Sequence, residues 1–388
     1  MLSHFYCIRL HDSFILVVMA RIAIDARIIN SSTGTYVERL LHYLQTIDQT
    51  NTYIVLVRRK DVDFWKPVSP NFSVQIADFD NYSFAEQIGL KRLLDKLKPD
   101  LVHFCMPQQP ILYKGTSVTT IHDLILLNTY NSDKNWLVFH IKQLVGRFVF
   151  KRVSHKSRYV LTPTQFVKDS VVKFASLPEN RVVVTYESAE KTISNTSPYE
   201  LPFKDFIMYV GQCSDYKNIR RLGEAHQKLL ETHPDLGLVL VGKIAKDTEA
   251  LRAHFQKHDY KNIHFTGFIP DEQRDWLYTK TSAYVFPSLM EGFGLPGLEA
   301  MAAGAPVVSS NATCLPEVYG DAAHYFNPLD TDDMSRAINE VLGDPALRET
   351  LVKNGYDRLK MYSWQRMAEQ THAVYMEALK ETTKTSER

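Results

Sequence analysis

The chain has 388 residues, enough for two domains of ordinary size. Its 45% hydrophobic and 23% charged residues are the make-up of a soluble globular protein, which excludes a disordered chain, a collagen-like fibre and a small disulfide scaffold. Lysine and arginine number 45 against 44 aspartates and glutamates, so no global field draws nucleic acid and any basic patch is local.

Four cysteines, Cys7, Cys105, Cys213 and Cys314, stand far apart with no CxxC pair. That argues against a zinc site or a disulfide framework and fits a reducing, cytoplasmic setting. No apolar run approaches the roughly 20 residues of a spanning helix. The apolar stretch 14–20 follows Arg9, His11 and Asp12 and lacks a small-residue cleavage site, so a signal peptide is not expected. Met19 opens a natural first strand; residues 1–18 are expected to stand outside the fold, as a non-native or disordered extension.

From there short apolar runs alternate with helical patterns. Strands are expected at 21–25, 53–57, 73–76, 101–104, 117–121, 159–162 and 181–184. Between them lie a helix over 34–45, with Val37, Leu40, Leu41 and Leu44 at helical spacing, and one over 84–97 stopped by Pro99. The polar, turn-rich stretch 191–198 reads as a linker. Alternation then restarts, with strands at 206–210, 237–241, 262–266, 283–286 and 306–309 and helices at 219–232, 273–279, 297–303 and 332–342. The pattern predicts an α/β fold of two doubly wound, Rossmann-like domains, with ligands beyond the carboxyl ends of the strands, in the cleft that the domains face. The divisions expected are 19–190, a linker at 191–204, 205–361, and a last helical segment over 362–388.

The densest chemistry lies at 288–301, a glycine-rich turn between a strand and a helix. Glycines let a ligand approach the backbone, unpaired N–H groups at a helix start attract an anion, and Pro296 suits the first helical turn. Glu291 stands before this loop and Glu299 inside the helix, and carboxylates accept hydrogen bonds from sugar hydroxyls. The residues therefore fit a phosphate flanked by hydroxylated rings. They also satisfy GxGxxG, the dinucleotide pattern, though late in the chain and between two glutamates. A plain structural turn is the third reading.

The run 286–308, Phe-Pro-Ser-Leu-Met-Glu-Gly-Phe-Gly-Leu-Pro-Gly-Leu-Glu-Ala-Met-Ala-Ala-Gly-Ala-Pro-Val-Val, resembles the donor-binding signature of the family 4 (group 1) retaining glycosyltransferases of the GT-B fold. The likeness extends over nearly the whole chain from Met19, through Tyr209-Val210-Gly211 to Lys217-Asn218, the run 315–323, and Tyr362-Ser363-Trp364. It implies an acceptor-binding N-terminal domain, a nucleotide-sugar-binding C-terminal domain and a last helix returning to the first. It implies that Lys217 neutralises the departing diphosphate, that Glu291 holds the donor sugar and that Glu299 holds the ribose hydroxyls. Gly292, Phe293, Gly294 and Leu295 would offer backbone N–H groups to sugar and phosphate, with Gly211 and Gln212 in the first donor loop. Gln212 stands where the family usually has an arginine, with Arg220 and Arg221 as candidate substitutes. Gly267-Phe268-Ile269 resembles the stretch lining the base, or is a strand-end turn.

In the first domain, Thr120-Ile121-His122-Asp123-Leu124 is similar to the family's His-Asp-Leu segment. His122 would hydrogen-bond the donor sugar near the reacting carbon, and Asp123 would orient His122 or the acceptor. Gly34 would let the acceptor or a phosphate approach, and Thr164 faces the cleft or caps a helix. The resemblance implies a hexosyltransferase that needs no metal or cofactor; Asp61-Val62-Asp63 and Asp78-Phe79-Asp80 read as solvated loops.

Residues 134–158 are basic and aromatic, with Lys134, Trp136, Phe139, Lys142, Arg147, Phe148, Phe150, Lys151, Arg152, Lys156 and Arg158. Such a helix either lies on an anionic membrane at the inner face of the plasma membrane or packs on the core with a basic rim. Nothing in the residues selects a sugar, a base (GDP or UDP) or a glycan or lipid-linked acceptor. The likeness to bacterial mannosyltransferases of polysaccharide and lipopolysaccharide biosynthesis points to GDP-mannose. A sugar-nucleotide epimerase of the same shape, an NAD-dependent oxidoreductase and a non-catalytic glycan binder are the competing readings.

Overall fold

The computed structural model describes residues 5–10, 13–31, 33–81, 83–128, 136–189 and 196–386. They form two compact units, residues 1–186 with 364–388, and residues 187–363. The second unit, from residue 187, takes in the end of the expected first domain and the expected linker. Of the expected linker, 191–204, residues 191–195 lie outside the described residues, while Ser197 and Tyr199 bond to Glu272 and His264 of the second unit.

The first unit begins with β1 (Phe5–Leu10) and β2 (Ser13–Val18), which pair antiparallel in a two-stranded sheet of their own. The stretch 1–18, expected outside the fold, thus contains a hairpin over residues 5–10 and 13–18. The main sheet comprises β3 (Arg21–Asp25), β4 (Thr52–Val57), β5 (Phe72–Ile76), β6 (Leu101–Phe104), β7 (Ser117–Thr120), β8 (Tyr159–Thr162) and β9 (Val182–Val184), in the order β5-β4-β3-β6-β7-β8-β9 and parallel throughout. Parallel strands need crossovers, and β6 and β7 at the centre are buried along their whole length.

Two local departures from expectation have clear causes. The helix expected over 84–97 opens with a π-type turn, Glu86–Leu90, before the regular helix Lys91–Leu97. The wide turn sets Glu86 against Arg27. Asp61, expected in a solvated loop, is buried and accepts a hydrogen bond from Asn30 Nδ2 at 3.0 Å. Helix Gly34–Ile47 begins where a β-carbon would overlap the Ile29 carbonyl, so only glycine fits there. Helix Trp364–Ser386 packs against helix Gly34–Ile47 within the first unit.

The second unit's sheet has β10 (Phe206–Val210), β11 (Gly237–Val241), β12 (Ile263–Gly267), β13 (Ala283–Phe286), β14 (Val307–Ser310) and β15 (Ala323–Phe326), in the order β12-β11-β10-β13-β14-β15, again all parallel. The chain leaves β10 to one side and returns at β13 on the other. The two neighbours β10 and β13 thus mark a switch point of the sheet, and the loops after them lie side by side. Among the described residues no helix is long and apolar enough to cross a membrane.

Candidate active site

The glycine-rich loop of the second unit lies at that switch point, between β13 and helix Leu295–Ala302. After β10, Tyr209 Oη donates to the Gln212 carbonyl at 2.9 Å and fixes the turn at Gly211. A short turn, Asp215–Lys217, follows, then Asn218 in the left-handed region at φ 64°. The buried Asn218 amide donates to the Pro287 and Pro328 carbonyls at 3.0 and 2.7 Å, stitching this loop to those after β13 and β15. Leu289 N–H donates to the Tyr216 carbonyl at 2.8 Å. These ties place Lys217 Nζ 2.6 Å from Glu291 Oε1, with side chains only 16% and 10% exposed. The ammonium also lies over the Phe286 ring, 5.6 Å from its centroid.

Glu291 is held from behind. Its N–H donates to Thr313 Oγ1 at 3.2 Å, and its carbonyl accepts from Cys314 Sγ at 3.4 Å. Gly294 adopts φ 96°, and its carbonyl accepts from the buried Tyr319 hydroxyl at 2.6 Å. A β-carbon at Gly294 or Gly297 would strike that hydroxyl, so the tyrosine seats the start of helix Leu295–Ala302 against the sheet. The first N–H groups of a helix have no partner within it, and their positive end attracts an anion. Glycines, lysine and helix start thus converge on one place.

Glu299 lies further along this helix. Tyr278 Oη donates to its Oε2 at 3.4 Å. Burial pushes the Glu299 carboxyl above its ordinary value, opposed by the nearby Arg274 guanidinium. Burial opposes the charge of Arg274, yet Glu299 and Asp275 hold its guanidinium above the usual range. Gln212 is exposed, Arg220 is exposed, and Arg221 donates to Asn218 Oδ1 at 3.0 Å, so Arg221 serves the loop. Phe268, after β12, is 82% exposed beside Gly267.

In the first unit, His122 follows β7. Its Nε2 lies 3.1 Å from the Cys105 carbonyl, which can only accept, so Nε2 carries a proton. The Tyr36 ring stands edge-on to it at 4.8 Å, which brings helix Gly34–Ile47 to the same place. Asp123 Oδ1 accepts from Ile125 N–H at 2.8 Å and fixes the turn after His122. Thr164 caps helix Gln165–Ala175 through Val167 N–H at 3.2 Å.

Several residues that build the site escape a reading of the sequence. Asn218 directly follows Lys217, a visible signal, whereas Thr313, Tyr319, Arg274 and Tyr278 come from other segments. The first unit also buries an ion triad: Arg27 pairs with Asp25 at 2.7 Å and with Glu86 at 2.9 Å. The charges at the end of β3 were its only sequence signal.

Residues 33–188 match the family model described as Glycosyltransferase Family 4, and residues 199–358 match Glycosyl transferases group 1. The chain is 32% identical over 274 residues to the O-antigen chain mannosyltransferase B of Escherichia coli, covering 67% of this chain and 70% of that protein. It is 29% identical over 370 residues to the serotype-specific mannosyltransferase WbdA of Escherichia coli, covering 88% of this chain but 44% of that one, so it spans less than half of WbdA. Among solved structures, a sucrose-phosphate synthase from Thermosynechococcus elongatus superposes with a TM-score of 0.72 at 19% identity, over 92% of this chain and 98% of that one. Anabaena HepE, solved with UDP and glucose, gives a TM-score of 0.69 at 15% identity, over 92% and 99%. At such identity the likeness shows the fold.

Proposed function

The chain belongs to the group 1 (family 4) glycosyltransferases with their GT-B type of fold, and from that premise we propose how and on what it acts. The reaction moves a hexose from a nucleotide diphosphate to a hydroxyl with retention of configuration. GDP-mannose is the donor, and a glycan or lipid-linked glycan of a bacterial-type surface polysaccharide is the acceptor. The names of the relatives support mannose; that HepE was solved with UDP keeps UDP-glucose as the donor to test against it. The epimerase and oxidoreductase readings gain no support from the family match.

The single observation carrying the mechanism is the pairing of Lys217 and Glu291 at the start of a helix, at the sheet's switch point. The sugar C1–oxygen bond to the diphosphate breaks, and negative charge grows on the leaving oxygen. Lys217, the N–H groups of Gly292 to Leu295 and the helix end stabilise that charge. Glu291 accepts from a sugar hydroxyl, and Glu299, kept in place by Tyr278, from the ribose. The acceptor oxygen bonds to C1 on the same face, and its proton passes to the leaving phosphate oxygen. His122 contributes a hydrogen bond to the sugar beside the reacting carbon. These groups supply the charge stabilisation without a metal.

The protein works in the cytoplasm, at the inner face of the membrane. Leu126, Leu144, Val145 and Phe148 are exposed beside exposed Arg147, Lys151 and Arg152, on and next to helix Trp136–Lys156. Lys134 and the side chains at 136–139, 141 and 142 lie outside the described residues. Leu144→Glu with Phe148→Glu should abolish sedimentation with anionic phosphatidylglycerol vesicles; unchanged sedimentation rejects this surface.

A thermal-shift panel of GDP, UDP, ADP and their sugars tests the donor, because a ligand that binds only the folded state raises its melting temperature. GDP and GDP-mannose should give the largest shifts. A panel without a shift overturns the nucleotide-sugar reading, and a UDP preference corrects the base.

A further inference from the structure

The centre of the first unit's sheet is polar. β7 reads Ser117-Val118-Thr119-Thr120, and all four residues are buried. Successive side chains point to opposite faces, so its two threonines serve different partners. Thr119 Oγ1 meets Ser157 Oγ at 2.7 Å and accepts from Gln109 Nε2 at 2.8 Å. Thr120 Oγ1 lies 2.8 Å from His103 Nε2 and 2.9 Å from Tyr36 Oη. His103 Nδ1 lies 2.5 Å from Tyr375 Oη, on helix Trp364–Ser386. Four segments remote in sequence thus meet in one hydrogen-bonded row, and none of its members is more than 2% exposed.

The row ends on a proposed donor-sugar contact: the Tyr36 ring stands edge-on to His122, at 82° between planes. Burial, with the nearby His122 adding to it, holds His103 down to about 3, so it is neutral at working pH. A neutral imidazole donates from one nitrogen and accepts at the other. The row therefore runs in one sense at a time. In one, Tyr36 donates to Thr120, Thr120 to His103 and His103 to Tyr375; in the other, each bond reverses. In both senses the Tyr36 hydroxyl is held, and with it the plane of the ring that flanks His122.

We infer that the row Tyr375–His103–Thr120–Tyr36 positions the His122 ring for the transferred sugar, with Tyr36 and Thr120 as positioning residues. This rests on the role of His122 stated above, and buried networks of this kind fix one arrangement when every member is satisfied.

The test compares Thr120→Val, which keeps the shape and removes the hydroxyl, with Thr120→Ser, which returns it, and with Tyr36→Phe, which cuts the row at its other end. Each is made in the wild type and in His122→Ala. The readout is GDP release from GDP-mannose, or UDP release from UDP-glucose if that donor gives the thermal shift. Thr120→Val and Tyr36→Phe should lower kcat about tenfold, within the range that small misplacement of a reacting group costs, and change KM less than about twofold. Thr120→Ser should restore the rate, and in His122→Ala neither change should cost more. Equal losses in both backgrounds mean a merely structural role and overturn the inference, as do wild-type rates for both variants. If His122→Ala itself keeps the wild-type rate, the role of His122 falls and the inference with it. Imidazole 15N spectra give a readout apart from turnover: Tyr36→Phe should shift the His122 resonances, and unchanged resonances also overturn it. Should Thr120→Val not fold, Tyr36→Phe carries the test.

Discussion

The polar groups at the strand ends of the two units are held in opposite ways. In the second unit Lys217 and Glu291 pair directly at 2.6 Å and keep part of their surface accessible. Backbone ties hold them: Asn218 to Pro287 and Pro328, Leu289 to Tyr216, Glu291 to Thr313. In the first unit Arg27, Asp25 and Glu86 are buried together, and the arginine also donates to the Phe79 carbonyl at 3.2 Å. One arrangement is part open to solvent and, in the proposed function, exchanges partners with a substrate; the other is closed and fixes a loop. The same residue types are proposed to serve binding in one unit and serve architecture in the other, and what separates them is access to solvent.

The sharpest way to break this contrast is to open the closed triad. Arg27→Ala leaves two buried carboxylates without their cation and should cost about 3–5 kcal/mol of stability, read from urea unfolding. A loss under about 1 kcal/mol would show that water reaches the triad and that the contrast fails. The open pair should respond in turnover instead. Lys217→Ala and Glu291→Ala should lose roughly 10²- to 10³-fold in kcat, the scale of losing a charge-stabilising donor. Their melting temperatures should stay near the wild type; wild-type rates would remove both residues from the mechanism.

Asp48 sharpens the comparison inside the first unit. Burial by itself pushes its carboxyl up, but hydrogen bonds from His372, Tyr53 and Asn51 outweigh burial and hold it well below the usual range. The folded state therefore binds this proton less readily than the unfolded chain does. Its stabilisation is complete above the unfolded value of about 4 and drains away as pH falls through the lower folded value. Asp48→Asn should cost roughly 1–3 kcal/mol near pH 7, with the difference shrinking in unfolding experiments carried toward pH 3. A pH-independent difference would count against the carboxylate. The smallest effect belongs to the second unit: Tyr319→Phe removes one bond to the Gly294 carbonyl and should cost about 1 kcal/mol. A donor affinity unchanged by that variant would mean that helix Leu295–Ala302 keeps its seat without the hydroxyl.

By itself the sequence determined the α/β class, nearly every strand of both sheets and the glycine-rich loop with its glutamates. Strand periodicity is local, and the loop's glycines, Pro296, Glu291 and Glu299 fall within one short run. Polar helices such as Lys246–Lys257, with only Thr248, Leu251 and Phe255 buried, gave too faint an apolar stripe to be seen. Only the tertiary structure decided which polar groups meet. Lys217 reaches Glu291 because β10 and β13 are neighbours across a crossover. Tyr36, His103, Thr120 and Tyr375 form one row because parallel strands and a returning helix bring distant segments together. A hydrogen bond acts over about 3 Å, whatever the separation along the chain, so its partners are set by packing and leave no spacing to read.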